Sequence, residues 1–81
     1  MTASSDITKE IKQRIESAIQ DSQVEVISGG ERHFALKVIS KSFENLSPVK
    51  QQQMVYAAIK DLMAGNDAPI HAIDKMDIRI S

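Results

Sequence analysis

Cysteine and tryptophan are both missing from this 81-residue chain. Without cysteine, the chain forms no internal disulfide, offers no thiol nucleophile and supplies no thiolate ligand to a metal. The lack of disulfides fits a reducing compartment, so a cytoplasmic location is expected. With one tyrosine and two phenylalanines, the core must consist mainly of Ile, Val, Leu, Met and Ala.

Long apolar runs and an excess of one charge are also missing. No segment approaches the ~20 apolar residues that cross a membrane, and the first residues lack the basic and apolar blocks of a secretory signal. The formal net charge of -1 argues against a nucleic-acid specialist. We therefore expect a single domain over residues 1–81 that is monomeric when alone and has no membrane partner.

Signature motifs of common enzyme classes are absent as well. The chain contains no Gly-rich loop for dinucleotides or nucleoside triphosphates, and no serine nucleophile-elbow motif. Its carboxylates are scattered over predicted polar faces, where charged side chains ordinarily serve solvation. An enzymatic function is therefore not expected.

Helical and strand periodicities alternate in the first half of the chain. Apolar residues spaced as on one helix face predict a first helix near residues 6–20. Alternating β-branched and apolar residues predict strands near residues 23–28 and 33–40. Gly29-Gly30 opens the turn between them, so the two strands are expected to form an antiparallel hairpin.

The second half changes from helix to strand once more. A helical turn is predicted at residues 41–46, and Ser47-Pro48 starts a helix that runs to about Ala64, with its stop at Gly65-Asn66. Ile70–Ile80 is predicted to be the third strand. The order α-β-β-α-α-β favours an α+β fold, in which a small three-stranded sheet, the hairpin plus the third strand, is covered by helices on one face.

The two histidines, His33 and His71, each lie at the edge of a predicted strand. Imidazole is a common transition-metal ligand, and it can gain or lose a proton near neutral pH. If the two strand edges converge, the pair forms a candidate metal site. The alternative is a structural role, in which His71 bonds a backbone carbonyl at a strand end and His33 is an exposed turn residue.

Lysines form a second candidate site. Lys37, Lys41 and Lys50, with Arg32 nearby, would line a basic patch for nucleic acid around the second strand and the second helix. Interleaved aromatic residues and an overall positive charge, which ordinarily accompany such patches, are both missing. The alternative is an ordinary decoration of the surface by lysine.

Several short segments together resemble the BolA family over about residues 7–75. One of them follows a Gly-containing turn and the others lie in or beside the predicted strands and the second helix. They are His33-Phe34, Val38-Ile39-Ser40, Phe43-Glu44-Asn45-Leu46-Ser47, Val49-Lys50-Gln51-Gln52-Gln53-Met54-Val55-Tyr56 and Ile70-His71-Ala72. The run from Leu46 to Gln53 is similar to the IbaG-type subgroup. BolA proper has Arg-His-Arg where this chain has three glutamines.

The resemblance implies a KH-like fold and a non-enzymatic adaptor that traffics iron–sulfur clusters or senses redox state. In BolA-like proteins, the position matching His71 is the main ligand of a [2Fe-2S] cluster, and the position matching His33 holds a second His or Cys in many members. A monothiol glutaredoxin brings one cysteine and a bound glutathione. The resemblance therefore implies a heterodimer that shares the cluster, whereas this chain alone holds no cofactor.

The two histidines are expected to contribute unequally to such a site. His71 opens a strand that Ile70 and Ile73 anchor, so its imidazole should be oriented in advance. His33 follows a turn that we expect to be mobile and that loses entropy when it is ordered. His71 is therefore predicted to be the principal ligand and His33 the auxiliary one.

A KH-like regulator of transcription in the stress response is the alternative function, with Lys37, Lys41 and Lys50 as nucleic-acid contacts. True KH domains clamp RNA with a Gly-x-x-Gly loop, which has no counterpart between Asn45 and Pro48. Contact with DNA is therefore expected to be weak. A protein-interaction module without a metal is the third interpretation.

Overall fold

The computed structural model describes residues 3–65 and 67–80. Its regular elements are helix α1 at Ala3–Ala18, strand β1 at Gln23–Gly30, strand β2 at His33–Ile39, helix α2 at Pro48–Ile59 and strand β3 at Ala72–Arg79. Short 3-10 turns at Lys41–Phe43 and Lys60–Leu62 flank α2. The predicted α+β architecture and its order of elements are confirmed.

Element boundaries differ from the predictions mainly around the second helix. The helix predicted to reach Ala64 changes to 3-10 geometry after Ile59. Gly65 has a φ of 91°, which suits a helix stop, whereas Asn66 lies outside the described residues. The third strand begins at Ala72 rather than Ile70, because the Ile70 N–H bonds to the Leu62 carbonyl instead of to a neighbouring strand.

Strand β2 lies in the centre of the three-stranded sheet, between β1 and β3. Its pairing with β1 is antiparallel and its pairing with β3 is parallel. A parallel neighbour requires a crossover connection, which α2 and its flanking turns provide. The register pairs His33 with Ala72, so the chain enters β3 beside the start of β2.

The core lies between one face of the sheet and the helices. Phe34, Leu36 and Val38 on β2 are at most 2% exposed, which confirms the predicted inward face. The helices and the residue directly after α1 add fully or almost fully buried aliphatic residues, which are Ile11, Ile15, Ile19, Val55 and Ile59. No helix among the described residues is long and apolar enough to cross a membrane.

A bulge in β3 brings apolar residues of different parity to the same face. Ile73 pairs with Phe34 and Met76 pairs with Leu36, so one extra residue, Asp74, stands unpaired between them. Without this extra residue, Ile73 and Met76 would point to opposite faces of the sheet. With it, both side chains pack against the core.

An ion pair joins α1 to the turn that follows α2. The guanidinium of Arg14 donates to the carboxylate of Asp61, and its Nε lies 3.1 Å from Oε2 of Glu10. The hydrogen bond from Arg14 lowers the pKa of Asp61 below its ordinary value. The bonds to Asp61 and then to Glu10 raise the pKa of Arg14. These side chains are partly exposed, so solvent screens their attraction.

Asp61→Asn should reduce the acid sensitivity of folding. The pKa of Asp61 is lowered in the folded chain, so its pair with Arg14 stabilises the fold above the ordinary value of 3.8. That contribution is lost as the pH falls through the lower folded value. Urea denaturation measures the free energy of unfolding at about pH 7 and about pH 3. Between these two values, this free energy should fall less for Asp61→Asn than for the wild type.

Glu16→Gln is the matched control, because Glu16 is an exposed carboxylate on α1. It removes the same charge without touching the pair of Arg14 and Asp61. An acid sensitivity that is the same in the wild type and Asp61→Asn would contradict the assignment.

Candidate functional site

The two histidines lie side by side at the start of β2. Their ring centroids are 5.2 Å apart, and the ring planes are inclined by 33°. His33 is the first residue of β2, whereas His71 is exposed and comes directly before β3. The two strand edges therefore converge, and metal binding by the pair stays a prediction.

A tight turn at Glu31-Arg32 connects β1 to β2. Both residues have positive φ, 51° and 65°, and Gly30 before them has a φ of 86°. Two central residues with positive φ are typical of the type I′ hairpin turn, which favours Asn and Gly. Because side chains crowd this conformation, Glu31 and Arg32 adopt it at a cost of roughly 1–2 kcal/mol each.

Arg32 positions the segment that carries His71. Its backbone carbonyl accepts hydrogen bonds from the N–H groups of His71 and Ala72, at 2.8 and 3.4 Å. Its guanidinium donates to the Ala68 carbonyl at 3.3 Å. The sequence placed Arg32 only near the predicted lysine patch. In the structure, Arg32 connects the hairpin turn to the segment that leads into β3.

Asp74 is a site residue that sequence reasoning missed. Its Oδ1 lies 2.9 Å from Nδ1 of His33. An ionised carboxylate can only accept a hydrogen bond, so Nδ1 of a neutral His33 carries the proton and Nε2 keeps its lone pair. The sequence did carry one signal. Ile73 and Met76 are three positions apart, so both can face the core only if the strand contains a bulge at or near Asp74.

His33 is held more firmly than its place after a turn suggests. Backbone pairing joins it to Gly30 on one side and to Ala72 on the other. Its side chain is 34% exposed and bonds to Asp74. His33 is therefore part of the sheet, whereas the mobility of the turn before it and the unequal contribution of the two histidines stay predictions.

A cleft of about 410 Å³ opens beside the two rings, lined by Glu31, Arg32, His33 and His71. Two imidazoles that bind one metal at about 2.1 Å in tetrahedral geometry have ring centroids about 5 Å apart, which the observed spacing matches. Among the described residues, no group of three or more His, Cys, Asp or Glu side chains is arranged to hold a metal. A four-coordinate metal at this cleft would need ligands from a second molecule.

The three lysines of the second candidate site occupy different elements. Lys37 lies in the middle of β2, in register with Glu25 on β1 and Asp77 on β3. Neighbours of opposite charge on adjacent strands offset the charge of Lys37. Lys41 and Lys50 are exposed, and both follow the end of β2 opposite His33. Their use in nucleic-acid binding stays a prediction.

Comparison with known protein sequences gives one consistent family. The family model for BolA-like proteins matches residues 6–76. A BolA-like protein of Dictyostelium discoideum is 32% identical over an alignment of 82 positions, which covers 90% of this chain and 70% of that protein. BolA-like protein 1 of Bos taurus is 42% identical over 45 residues, 56% of this chain. That match spans only 31% of the length of the bovine protein.

Solved structures give the same result for the fold. A BolA protein homologue from Coxiella burnetii superposes with a TM-score of 0.72 at 28% identity, covering 90% of this chain and 88% of that one. BolA1 from Arabidopsis thaliana superposes with a TM-score of 0.73 at 19% identity, covering 90% of this chain and 89% of that one. The second similarity, at its low identity, concerns the fold alone.

Glu31→Asn should stabilise the domain. Asn tolerates positive φ better than Glu, because its short amide bonds locally to the backbone. We expect the free energy of unfolding to rise by roughly 0.5–1 kcal/mol, as measured by urea denaturation. Glu31→Gln removes the same charge and keeps the longer side chain, so it serves as the control. If the free energy of unfolding rises equally in both variants, the loss of charge and not the backbone conformation is responsible.

Proposed function

Because this chain belongs to the BolA-like family, we propose that it is a non-enzymatic adaptor that binds a [2Fe-2S] cluster jointly with a monothiol glutaredoxin. The observation that carries the proposal is the spacing of 5.2 Å between the rings of His33 and His71 at an open cleft. The role of the complex is to traffic clusters or to sense redox state.

The donor set fits one half of a shared cluster. A [2Fe-2S] cluster takes four ligands, and imidazoles can replace two thiolates on one iron, which raises the reduction potential. This chain offers two neighbouring imidazoles and no cysteine. The cysteine of the glutaredoxin and its bound glutathione supply the remaining two ligands, so the complex is a heterodimer.

His71 is the principal ligand in this proposal and His33 the auxiliary one. The ring of His71 is exposed, and its backbone is anchored through the carbonyl of Arg32, so a partner can approach it directly. His33 keeps only Nε2 for a metal, because Nδ1 is engaged with Asp74. When bound, the cluster supplies one-electron chemistry or is passed to a recipient.

His71→Ala should abolish the spectrum of the mixed cluster, whereas His33→Ala should weaken or shift it. The experiment mixes the purified chain with a cluster-loaded monothiol glutaredoxin and glutathione, and records visible absorption and circular dichroism. The wild type should give a spectrum that the glutaredoxin alone does not. The difference between the variants follows from the greater accessibility of His71.

The control for these variants is the fold of the chain without cluster. Far-UV circular dichroism of His71→Ala and His33→Ala should match that of the wild type, because neither ring belongs to the buried core. A folded His71→Ala that still gives the unchanged mixed-cluster spectrum would sink the ligand assignment. That result would favour a protein-interaction module without a metal.

Nucleic-acid affinity should be weak, which separates this proposal from a transcription regulator of the stress response. With a net charge of -1, we expect dissociation constants no better than about 10⁻⁴ to 10⁻⁶ M at physiological salt. Fluorescence anisotropy with labelled duplex DNA measures them, and replacing Lys37, Lys41 and Lys50 together by Gln should change them little. Submicromolar, sequence-specific binding that the triple variant loses would favour the regulator.

A further inference from the structure

We propose that Asp74 is a positioning residue that orients His33 toward a metal. Its carboxylate holds the imidazole with the proton on Nδ1, and the lone pair on Nε2 then remains free to bind. This inference rests on the proposed function, because His33 acts as a ligand only there.

The geometry of the pair supports this role. Oδ1 of Asp74 lies 2.9 Å from Nδ1 of His33, a normal hydrogen-bond distance. Histidines that bind metals ordinarily donate their other ring N–H to a carboxylate, a carbonyl or a water. Such a partner fixes the tautomer, restricts rotation of the ring and makes the ligating nitrogen more basic.

The backbone around His33 places the carboxylate there. Asp74 is the extra residue of the β3 bulge, and the register of β1 is likewise shifted between Ser28 and Gly30. A Cβ built on Gly29 would lie 3.6 Å from Oδ2 of Asp74 and 3.5 Å from the carbonyl of His33. The carboxylate of Asp74 and the carbonyl of His33 therefore lie within van der Waals contact of the position that a Cβ at Gly29 would take.

His71 provides a comparison within the same chain. Its ring is exposed and lies beside the ring of His33, whereas the carboxylate of Asp74 bonds to His33. His33 is therefore the histidine that the carboxylate orients, whereas His71 is the more exposed of the two. The bulge in β3 supplies that carboxylate.

The first test reads the tautomer in the chain without cluster. Long-range ¹H–¹⁵N correlation spectra at about pH 8, where imidazole is neutral, should show His33 with its proton on Nδ1. Asp74→Ala should shift His33 away from that tautomer, and Asp74→Asn should retain part of it, because the amide oxygen still accepts a hydrogen bond. Asp77→Ala removes the same charge from the same strand and should leave His33 unchanged.

The second test reads retention of the cluster in the complex with a monothiol glutaredoxin. Asp74→Ala should release iron to a chelator about 10-fold faster than the wild type, the lower end of the effect usual for partners of metal ligands. Asp77→Ala should release it at the wild-type rate. Far-UV circular dichroism should be the same for both variants.

The outcomes separate this inference from the proposed function. A wild-type His33 with its proton on Nε2, or a tautomer that Asp74→Ala leaves unchanged, overturns the inference whether or not a cluster binds. Equal rates of iron release for Asp74→Ala and Asp77→Ala overturn the role of Asp74 toward the metal. A wild type with the Nδ1–H tautomer that forms no mixed cluster overturns the proposed function, while the orientation of His33 by Asp74 is upheld.

Discussion

Parallel pairing of β3 with β2 is the constraint on which the candidate site depends. Because both strands run in the same direction, they start at the same end of the sheet, and the register sets Ala72 beside His33. An antiparallel β3 would start beside Ile39 and would leave His71 about 20 Å away, the length of β2. No local motif brings the two rings together, since 38 positions separate them and only the crossover through α2 joins their neighbourhoods.

One end of the sheet is closed by a buried polar residue, whereas the other end borders an open cleft. At the end away from the histidines, Ser40 is fully buried, its hydroxyl donates to the carbonyl of Gln20 at 2.7 Å, and its N–H donates to the carbonyl of Arg79 at 3.1 Å. At the histidine end, the chain passes through Glu31 and Arg32, both with positive φ, beside an open cleft. Positive φ occurs also at Asp21, which precedes β1 at the other end of the sheet. Strained backbone that the surrounding structure holds in place is common at functional sites.

The sequence predicts the hairpin, the inward face of β2 and the family, but only part of the site. Alternation with period two gives the face of each residue and not the direction of a strand, so the parallel pairing of β3 with β2 is known from the structure alone. The pairs of His33 with Asp74 and of Arg14 with Asp61 join residues 41 and 47 positions apart. Contacts at such separations follow from the register of the sheet and the packing of the helices, and local spacing does not show them. The IbaG-type likeness stays a prediction.

An incomplete set of ligands has a consequence for how the proposed complex would work. Two imidazoles on this chain and two thiolates on the partner side would divide the four ligands of a [2Fe-2S] cluster equally. Neither half satisfies the cluster, so separation of the two proteins would remove half of its ligands at once. Retention and release of the cluster would therefore be coupled to the stability of the protein–protein contact. Such coupling suits an adaptor that transfers clusters better than it suits an enzyme that keeps a cofactor permanently.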